Sequence, residues 1–590
     1  MANYDQTDSL LTDRKIPTFT LFKRIFKYAK KEWLRFAIAL FLIVLHILIN
    51  LIYPLIIEQM VNRLSVGTAT LRFIIGLTVG YFVIYIFGQA MVYLESMILQ
   101  KAGQRIIYTL RMEVFDHIEN LSLNQLNMMP VGSLVTRVAN YTTAMSDLFA
   151  TVFVNILANI VQIVAVFVIL MVKSWKLTLV LTIFIAVVFA FSFIFRKIIT
   201  KLFRKERKQI SEMNAFLNEN LSGMKITQIF NQEERKFKEF KVKNDEMRRT
   251  RYKIILAFGL YRPSISFIYY VSLAMTFFMG MKLNISAGEV LAFYFYLSYF
   301  FNPVQTLADQ LNNIQKATTA SEKLFNLLDI ESEVLDIETA KEIDHFNGKI
   351  EFKNVWFAYK EGEWVLKDVS FTIEAGQTAA FVGATGAGKT TILSLIVRNY
   401  EIQSGEILID GINIKDVKIE SLRRAVGQML QDVVLFTGTI RDNITLHDEN
   451  YDDEEIMEVC RYVNADTIFK NSSKGLDEEL IEKGANLSQG QRQLLSFART
   501  VLSKPQILIL DEATANIDTE TEVLIQQSLE NMRNIGTMLV VAHRLSTIQS
   551  ADQIIVLNKG EVVEKGNHQQ LLRKHGYYFN LYKLQFEENN

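Results

Sequence analysis

Apolar residues crowd into roughly the first half of the chain, in stretches too long for the interior of a soluble domain. A helix needs about 20 mostly apolar residues to cross the hydrocarbon core of a bilayer. Six stretches reach that length: residues 36–57, 73–98, 148–172, 177–199, 254–281 and 290–311. As core helices of a soluble protein they would leave too little polar sequence to cover them. After Leu328 the pattern changes to short apolar runs separated by polar turns and helical segments, the pattern of an α/β domain.

Spans two and three, and spans four and five, are joined by about 50 polar residues each, far beyond an ordinary loop. Leu110, Val114, Phe115, Ile118 and Leu121 recur at helical spacing, as do Phe230, Phe237 and Phe240. Both connections are therefore expected to be helical rods. A helix of about 25 residues reaches on the order of 35 Å at 1.5 Å per residue. Turns are expected at their tips, near Leu123–Pro130 and Ser211–Gly223. Lys and Arg are dense before the first span (Lys23, Arg24, Lys27, Lys30, Lys31, Arg35) and between residues 201 and 253. The opposite loops hold few, such as Arg63, Lys173 and Lys282. The positive-inside bias makes the N-terminus and, after six spans, the C-terminal half cytoplasmic. The N-terminal residues carry mixed charge and show no cleavage site, so no removable signal peptide is expected.

The sixth span is rich in aromatics, with Phe293, Tyr296 and Phe300 on one helical face. That face fits either packing or a pocket for a bulky apolar or cationic compound. Polar residues within the spans (His46, Asn50, Gln89, Asn155, Asn159, Gln162) are costly in lipid and are expected to face inward, most of them bonding neighbouring helices. Glu95 is expected to face inward with them or, being near the cytoplasmic end of its span, to be solvated.

The composition narrows the partners. Of the 590 residues, 63 are Lys or Arg and 63 are Asp or Glu, so net charge gives no case for nucleic acid. A single cysteine, Cys460, excludes a disulfide framework and a Cys-rich metal site, and is expected to be a buried apolar residue.

The candidate chemistry lies in the C-terminal half. The run from Gly383 to Thr390 has the spacing of a phosphate-binding loop, after the apolar strand of residues 379–382 and before an apolar helix, 392–397. Glycines Gly383, Gly386 and Gly388 let backbone N–H groups point at phosphates, and the helix N-terminus adds its positive end. Lys389 is expected to bridge the β- and γ-phosphates of ATP, and Thr390 to hold Mg²⁺. A second apolar run, residues 507–510, reads as a buried parallel strand ending in Asp511, a Mg²⁺ ligand candidate, and Glu512, which would polarise the attacking water. A third, residues 537–542, ends in His543, placed to orient the γ-phosphate.

Residues 349–590 resemble the nucleotide-binding domain of ATP-binding cassette proteins. Besides the phosphate loop, the segment beginning at Gln431 looks like the Q-loop. Leu487 to Gln491 looks like the family signature, and Asp511 to Asp518 like the Walker B strand and D-loop. His543 looks like the switch histidine, and Tyr359 matches the aromatic residue that stacks on adenine. With six spans ahead of it, the whole chain resembles a bacterial multidrug-type exporter half. The implied division is 1–325 for an α-helical six-span domain with long cytoplasmic extensions, 326–348 for a linker, and 349–590 for an α/β P-loop domain. The resemblance implies ATP-driven efflux of hydrophobic drug-like compounds across the cell membrane by alternating access, with a lipid or lipid-linked flippase as the alternative. It implies catalytic roles for Glu512, His543, Gln431 and Lys389. Nucleotide contacts fall to Tyr359, Gly383, Thr385, Gly386, Gly388, Lys389, Thr390, Thr391, Ser488, Gly490, Gln491 and Asp518. Mg²⁺ ligands are Thr390, Gln431 and Asp511. It also implies an obligatory second exporter half, since this chain holds one ATPase domain. Two positions depart from the family pattern: Gln489 stands where the signature usually has glycine, and Ala515-Asn-Ile-Asp518 replaces the usual D-loop. With Glu512 intact, this combination resembles the glutamate-bearing subunit of heterodimeric exporters, and a homodimer is the alternative. Tyr141 also departs from the pattern.

Overall fold

The computed structural model describes residues 16–360, 362–429, 433–469, 474–481, 484–511, 519–541 and 548–584. The chain forms two units: Leu11–His117 with Val131–Ile330, and Ile118–Pro130 with Glu331–Asn590.

The first unit is helical. A short helix, Thr18–Lys30, precedes Trp33–Ser65, Leu71–Glu119, Val131–Lys173, Trp175–Ser222, Glu233–Lys282 and Ala287–Leu328. Five of these are long and apolar enough to cross a membrane. The stretch 290–311 lies in Ala287–Leu328, some of whose side chains fall outside the described residues. Only 6% of the apolar window in Leu71–Glu119 is buried within the chain. A soluble core would bury most of such a window, so these side chains are suited to lipid. Helices of 48–50 residues are about 70–75 Å long, more than twice a hydrocarbon core, and so carry rods beyond it.

The unit's own core gathers Ala39, Ile43, Ile47, Leu51, Val166, Leu170, Phe293, Tyr296, Phe300 and Phe301. The aromatic face of the last helix is thus packing rather than an open pocket wall: Phe293, Tyr296 and Phe300 are buried, and the Tyr296 hydroxyl donates to the Leu51 carbonyl at 2.7 Å. His46 and Asn50 bond each other (2.8 Å), and Gln162 Nε2 donates to the Tyr299 carbonyl (3.1 Å). Gln89 and Asn155 depart from the inward expectation. They are exposed, because one chain's bundle leaves their helix faces uncovered. Glu95 faces inward rather than being solvated: it is half-buried, and its Oε2 is enclosed without a hydrogen-bond partner. Helix Val131–Lys173 contains two π turns, Arg137–Tyr141 and Leu148–Phe153. Thr142 and Thr143 hydroxyls draw on the Val138 and Ala139 carbonyls (2.6 and 2.8 Å) at the first, a competition that loosens a helix ladder. Tyr141 ends that turn, and nothing in the structure explains its departure from the family pattern.

The rods Trp175–Ser222 and Glu233–Lys282 pair through stacked rings, Phe195 on Tyr261 (3.9 Å) and Phe216 on Phe240 (6.4 Å). The tip expected at Ser211–Gly223 lies further along. Met213, Phe216 and Leu217 sustain the helical spacing to Ser222, Gly223 ends it, and the short helix Met224–Ile229 forms the tip. The other tip is where expected, as helix Leu123–Asn127, capped by Ser122. Gln125, 2% exposed, donates through Nε2 to the Glu331 carbonyl (2.8 Å), and Asn124 donates to Glu333 (2.9 Å), so this tip holds the linker. Further along, Arg398 donates to the Leu335 carbonyl (2.9 Å).

The second unit has a four-stranded antiparallel sheet, a larger sheet and a two-stranded pair (β7 Gly438–Thr439, β8 Glu479–Leu480). The antiparallel sheet runs β2-β1-β4-β5 (β1 Ile350–Ala358, β2 Trp364–Ile373, β4 Ser404–Ile409, β5 Ile412–Asn413). The larger runs β12-β11-β3-β10-β9-β6 (β3 Thr378–Val382, β6 Val426–Met429, β9 Ile507–Asp511, β10 Thr537–Val541, β11 Gln553–Asn558, β12 Glu561–Gly566). Its strands are mutually parallel except the edge strand β12. Alternate residues face opposite sides. Phe381, Ile509 and Leu539 join one core with Ile392 and Ile396; Val382, Leu508 and Val540 join another with Leu494 and Phe497. Cys460 is buried in the second, and burial pushes its thiol up to about 12.

Tyr296→Phe removes one buried hydroxyl contact and keeps the ring. It is expected to lower stability by about 1 kcal/mol, read as a reduced thermal midpoint of the purified membrane protein.

Candidate nucleotide site

The site begins where β3 ends. Helix Lys389–Ile396 starts immediately after Gly388, which caps it in a left-handed conformation (φ 101°). A Cβ on Gly388 would stand 2.6 Å from Leu366 Cδ2, and one on Gly383 2.3 Å from the Leu557 carbonyl oxygen. Glycine suits both points, and the loop between them, with only the small side chains of Ala384, Thr385 and Ala387, curls before a helix N-terminus. That is the geometry in which amide groups receive phosphate. Lys389 is 8% exposed, and its Nζ donates to the Gly383 carbonyl (2.7 Å) and the Ala384 carbonyl (3.2 Å). Burial pushes its pKa down, opposed by the charge of Asp511. Thr385, Gly386 and Thr390 are exposed at the mouth of the loop.

Tyr359 sits beside this helix. Its hydroxyl lies 3.0 Å from Thr391 Oγ1, its ring meets Phe357 and Tyr400 edge-on at 4.9 and 5.1 Å, and it remains 40% exposed. An open aromatic face fixed next to a phosphate loop suits a nucleobase. The support from Thr391 and Tyr400 was not legible in the sequence, because neither contact belongs to a local pattern.

Strand register brings the remaining candidates to one edge. Val541 pairs with Asp511 on one side and with Phe381 on the other, and Met429 pairs with Leu510. The carboxyl ends of β6, β9, β10 and β3 therefore lie side by side, the position where ligands bind in open α/β sheets. Asp511 is the last residue of β9. Gln431, Glu512, Asp518 and His543 lie outside the described residues; the first, second and fourth follow the ends of β6, β9 and β10 within two residues.

Ser488, Gly490 and Gln491 are placed differently. Ser488 caps helix Gln489–Leu502, its Oγ accepting from the Gln491 N–H (3.2 Å) while Gln491 Oε1 accepts from the Ser488 N–H (2.9 Å). This helix packs in the second core, across the sheet from the phosphate-loop helix. Among the described residues no hydrogen bond joins the two. Gln489 is exposed at the helix start, and Gly490 is buried beneath it.

The contact at Gly383 makes a direct expectation. Gly383→Ala forces β11 or the loop to shift, at about 1–3 kcal/mol, and is expected to abolish binding of a fluorescent ATP analogue while the protein remains folded.

Comparison with known proteins agrees with this geometry. Residues 36–304 match the family model for the ABC transporter transmembrane region, and residues 366–515 the ABC transporter model. A Bacillus subtilis protein named "Probable multidrug resistance ABC transporter ATP-binding/permease protein YheH" is 39% identical over 504 residues, covering 84% of this chain and 74% of that one. An ATP-dependent lipid A-core flippase of Syntrophus aciditrophicus is 31% identical, covering 96% and 95%. A solved structure of a bacterial Atm1-family ABC exporter with ATP bound superposes with a TM-score of 0.78 at 26% identity, covering 94% of this chain and 98% of that chain. The chain is a multi-pass membrane protein of the ABC transporter family, an exporter that couples ATP hydrolysis to transport.

Proposed function

We propose that this chain is one half of a dimeric exporter that moves hydrophobic drug-like compounds out across the cell membrane, with its N-terminus and nucleotide-binding domain in the cytoplasm. The residues divide as 1–325 for the membrane domain, 326–348 for the linker and 349–590 for the ATPase. The observation that carries the dimer is the separation of the phosphate loop from Ser488, on opposite faces of one sheet. Each half-site then needs a complement from a second chain. The tip of the second rod supports this: Leu221, Met224, Ile226, Ile229 and Phe230 are all exposed there, an apolar surface that a partner would cover.

Bound ATP and Mg²⁺ supply the scissile phosphoryl bond and the charge that balances it. Around them, loop amides from Gly383 to Gly388 with Thr385 and Thr391 hold the phosphates, Tyr359 holds the base, and Lys389 exchanges its carbonyl partners for phosphate oxygens. Thr390, Asp511 and Gln431 provide oxygen ligands for the metal. Glu512 polarises the attacking water, and His543 positions the reacting group. Ser488, Gly490, Gln491 and Asp518 serve across the dimer. Gln489 places a side chain where glycine would let backbone approach a phosphate, which favours a partner chain with an unaltered signature, and so a heterodimer.

A lipid or lipid-linked flippase, acting as a homodimer, is the second reading, supported by the similarity to the lipid A-core flippase. Efflux of a fluorescent hydrophobic dye and translocation of a labelled lipid, measured in the same vesicles, separate the two. Drug export predicts ATP-dependent dye movement, reduced by about 100-fold or more in Glu512→Gln. Lipid movement without dye movement would replace this reading with the second.

A further inference from the structure

Helix Thr18–Lys30 has two unlike faces. Leu21, Ile25 and Ala29 are buried in the membrane unit. The opposite stripe carries Phe19, Lys23, Phe26, Lys27 and Lys30, all exposed and spaced to lie along one side of a helix. From Pro17 to Lys31 the chain holds basic residues at 23, 24, 27, 30 and 31 and no acidic one. Phe19 is 84% exposed, and Trp33, where the first span begins, is 64% exposed. Rings alternating with lysines suit the boundary of an anionic bilayer, where rings enter the acyl region and ammonium groups meet negative headgroups.

The inner side of the same helix grips one place. Arg24 makes a two-pronged ion pair with Asp329 (2.6 and 2.7 Å), and its guanidinium lies 4.4 Å from the centre of the Phe325 ring. Tyr28 stacks on that ring at 6.3 Å and donates to Glu113 (3.0 Å). The Ile16 N–H donates to Glu322 (3.0 Å). Apart from Glu113, on helix Leu71–Glu119, these partners are the last two turns and the cap of helix Ala287–Leu328, after which the chain enters the linker.

We propose that this helix is a docking surface for anionic phospholipid of the cytoplasmic leaflet, and that docking, passed through Arg24 to Asp329 and Phe325, raises ATP turnover. Lys23, Lys27 and Lys30 take the headgroups, and Phe19 and Phe26 take the acyl boundary. The inference rests on the cytoplasmic orientation proposed above and goes beyond the transport reading.

The test is ATPase activity of the assembled exporter, this chain with its partner half, in vesicles of phosphatidylcholine alone and with increasing phosphatidylglycerol. The wild type is expected to rise severalfold with phosphatidylglycerol, and the rise to shrink at about 0.5 M salt, where screening shortens electrostatic reach. A Lys23→Gln/Lys27→Gln/Lys30→Gln variant is expected to keep its activity in phosphatidylcholine and lose the rise; the corresponding Lys→Arg variant keeps both. Asp329→Asn is expected to lose the rise as well. Equal wild-type activity in both lipids, or a full response in the glutamine variant, overturns the docking surface; a full response in Asp329→Asn overturns the route. Absence of ATPase activity in every lipid would instead count against the exporter reading.

Discussion

A Cβ on Gly383 would stand 2.3 Å from the Leu557 carbonyl oxygen, and this closeness between the end of β3 and the end of β11 underlies the nucleotide site. It requires glycine, and with Gly386 and Gly388 it leaves a loop of small residues whose backbone can curl freely. Such a loop directly before a helix presents its backbone amide groups to an anion. Burial of the parallel strands on both faces then fixes their register, and register sets Val541 between Asp511 on β9 and Phe381 on β3. Packing inside the sheet thereby positions chemistry at its edge.

The same two-sided sheet carries the argument for a second chain. Since alternate residues of β3, β9 and β10 feed different cores, the helix after the phosphate loop and the helix after Ser488 are held on opposite sides. The membrane unit is incomplete in a matching sense. Its rods end in an exposed apolar tip at Met224–Ile229, and polar residues such as Gln89 and Asn155 lie on helix faces that one chain leaves open. These features are costly for an isolated chain and ordinary in an assembly.

Much of this was legible in the sequence, for physical reasons. Spans longer than any soluble core helix, a continuous apolar strand before a glycine loop, and helical spacing in the rods are local patterns, and each depends on a short stretch of chain. What the sequence left open depends on contacts between distant residues. The aromatic face at Phe293, Tyr296 and Phe300 was equally suited to packing or to a pocket, and only the Leu51 carbonyl beside Tyr296 decides for packing. The second tip lies beyond the expected Ser211–Gly223, because Phe216 stacking on Phe240 keeps that segment helical. The enclosure of Glu95 Oε2, the grip of Arg24 on Asp329 and the hold of Gln125 on Glu331 join residues with no shared motif.

This chain, with Gln489 in place of glycine, needs a different exporter half to complete its hydrolytic sites. The most direct measurement is ATPase activity in lipid of this chain purified alone, and of the same chain co-purified with a second exporter half encoded beside it. Little activity is expected alone, and robust activity in the pair. Full activity of the chain alone, as a stable dimer of identical copies, would contradict the heterodimer and make Gln489 a tolerated variation.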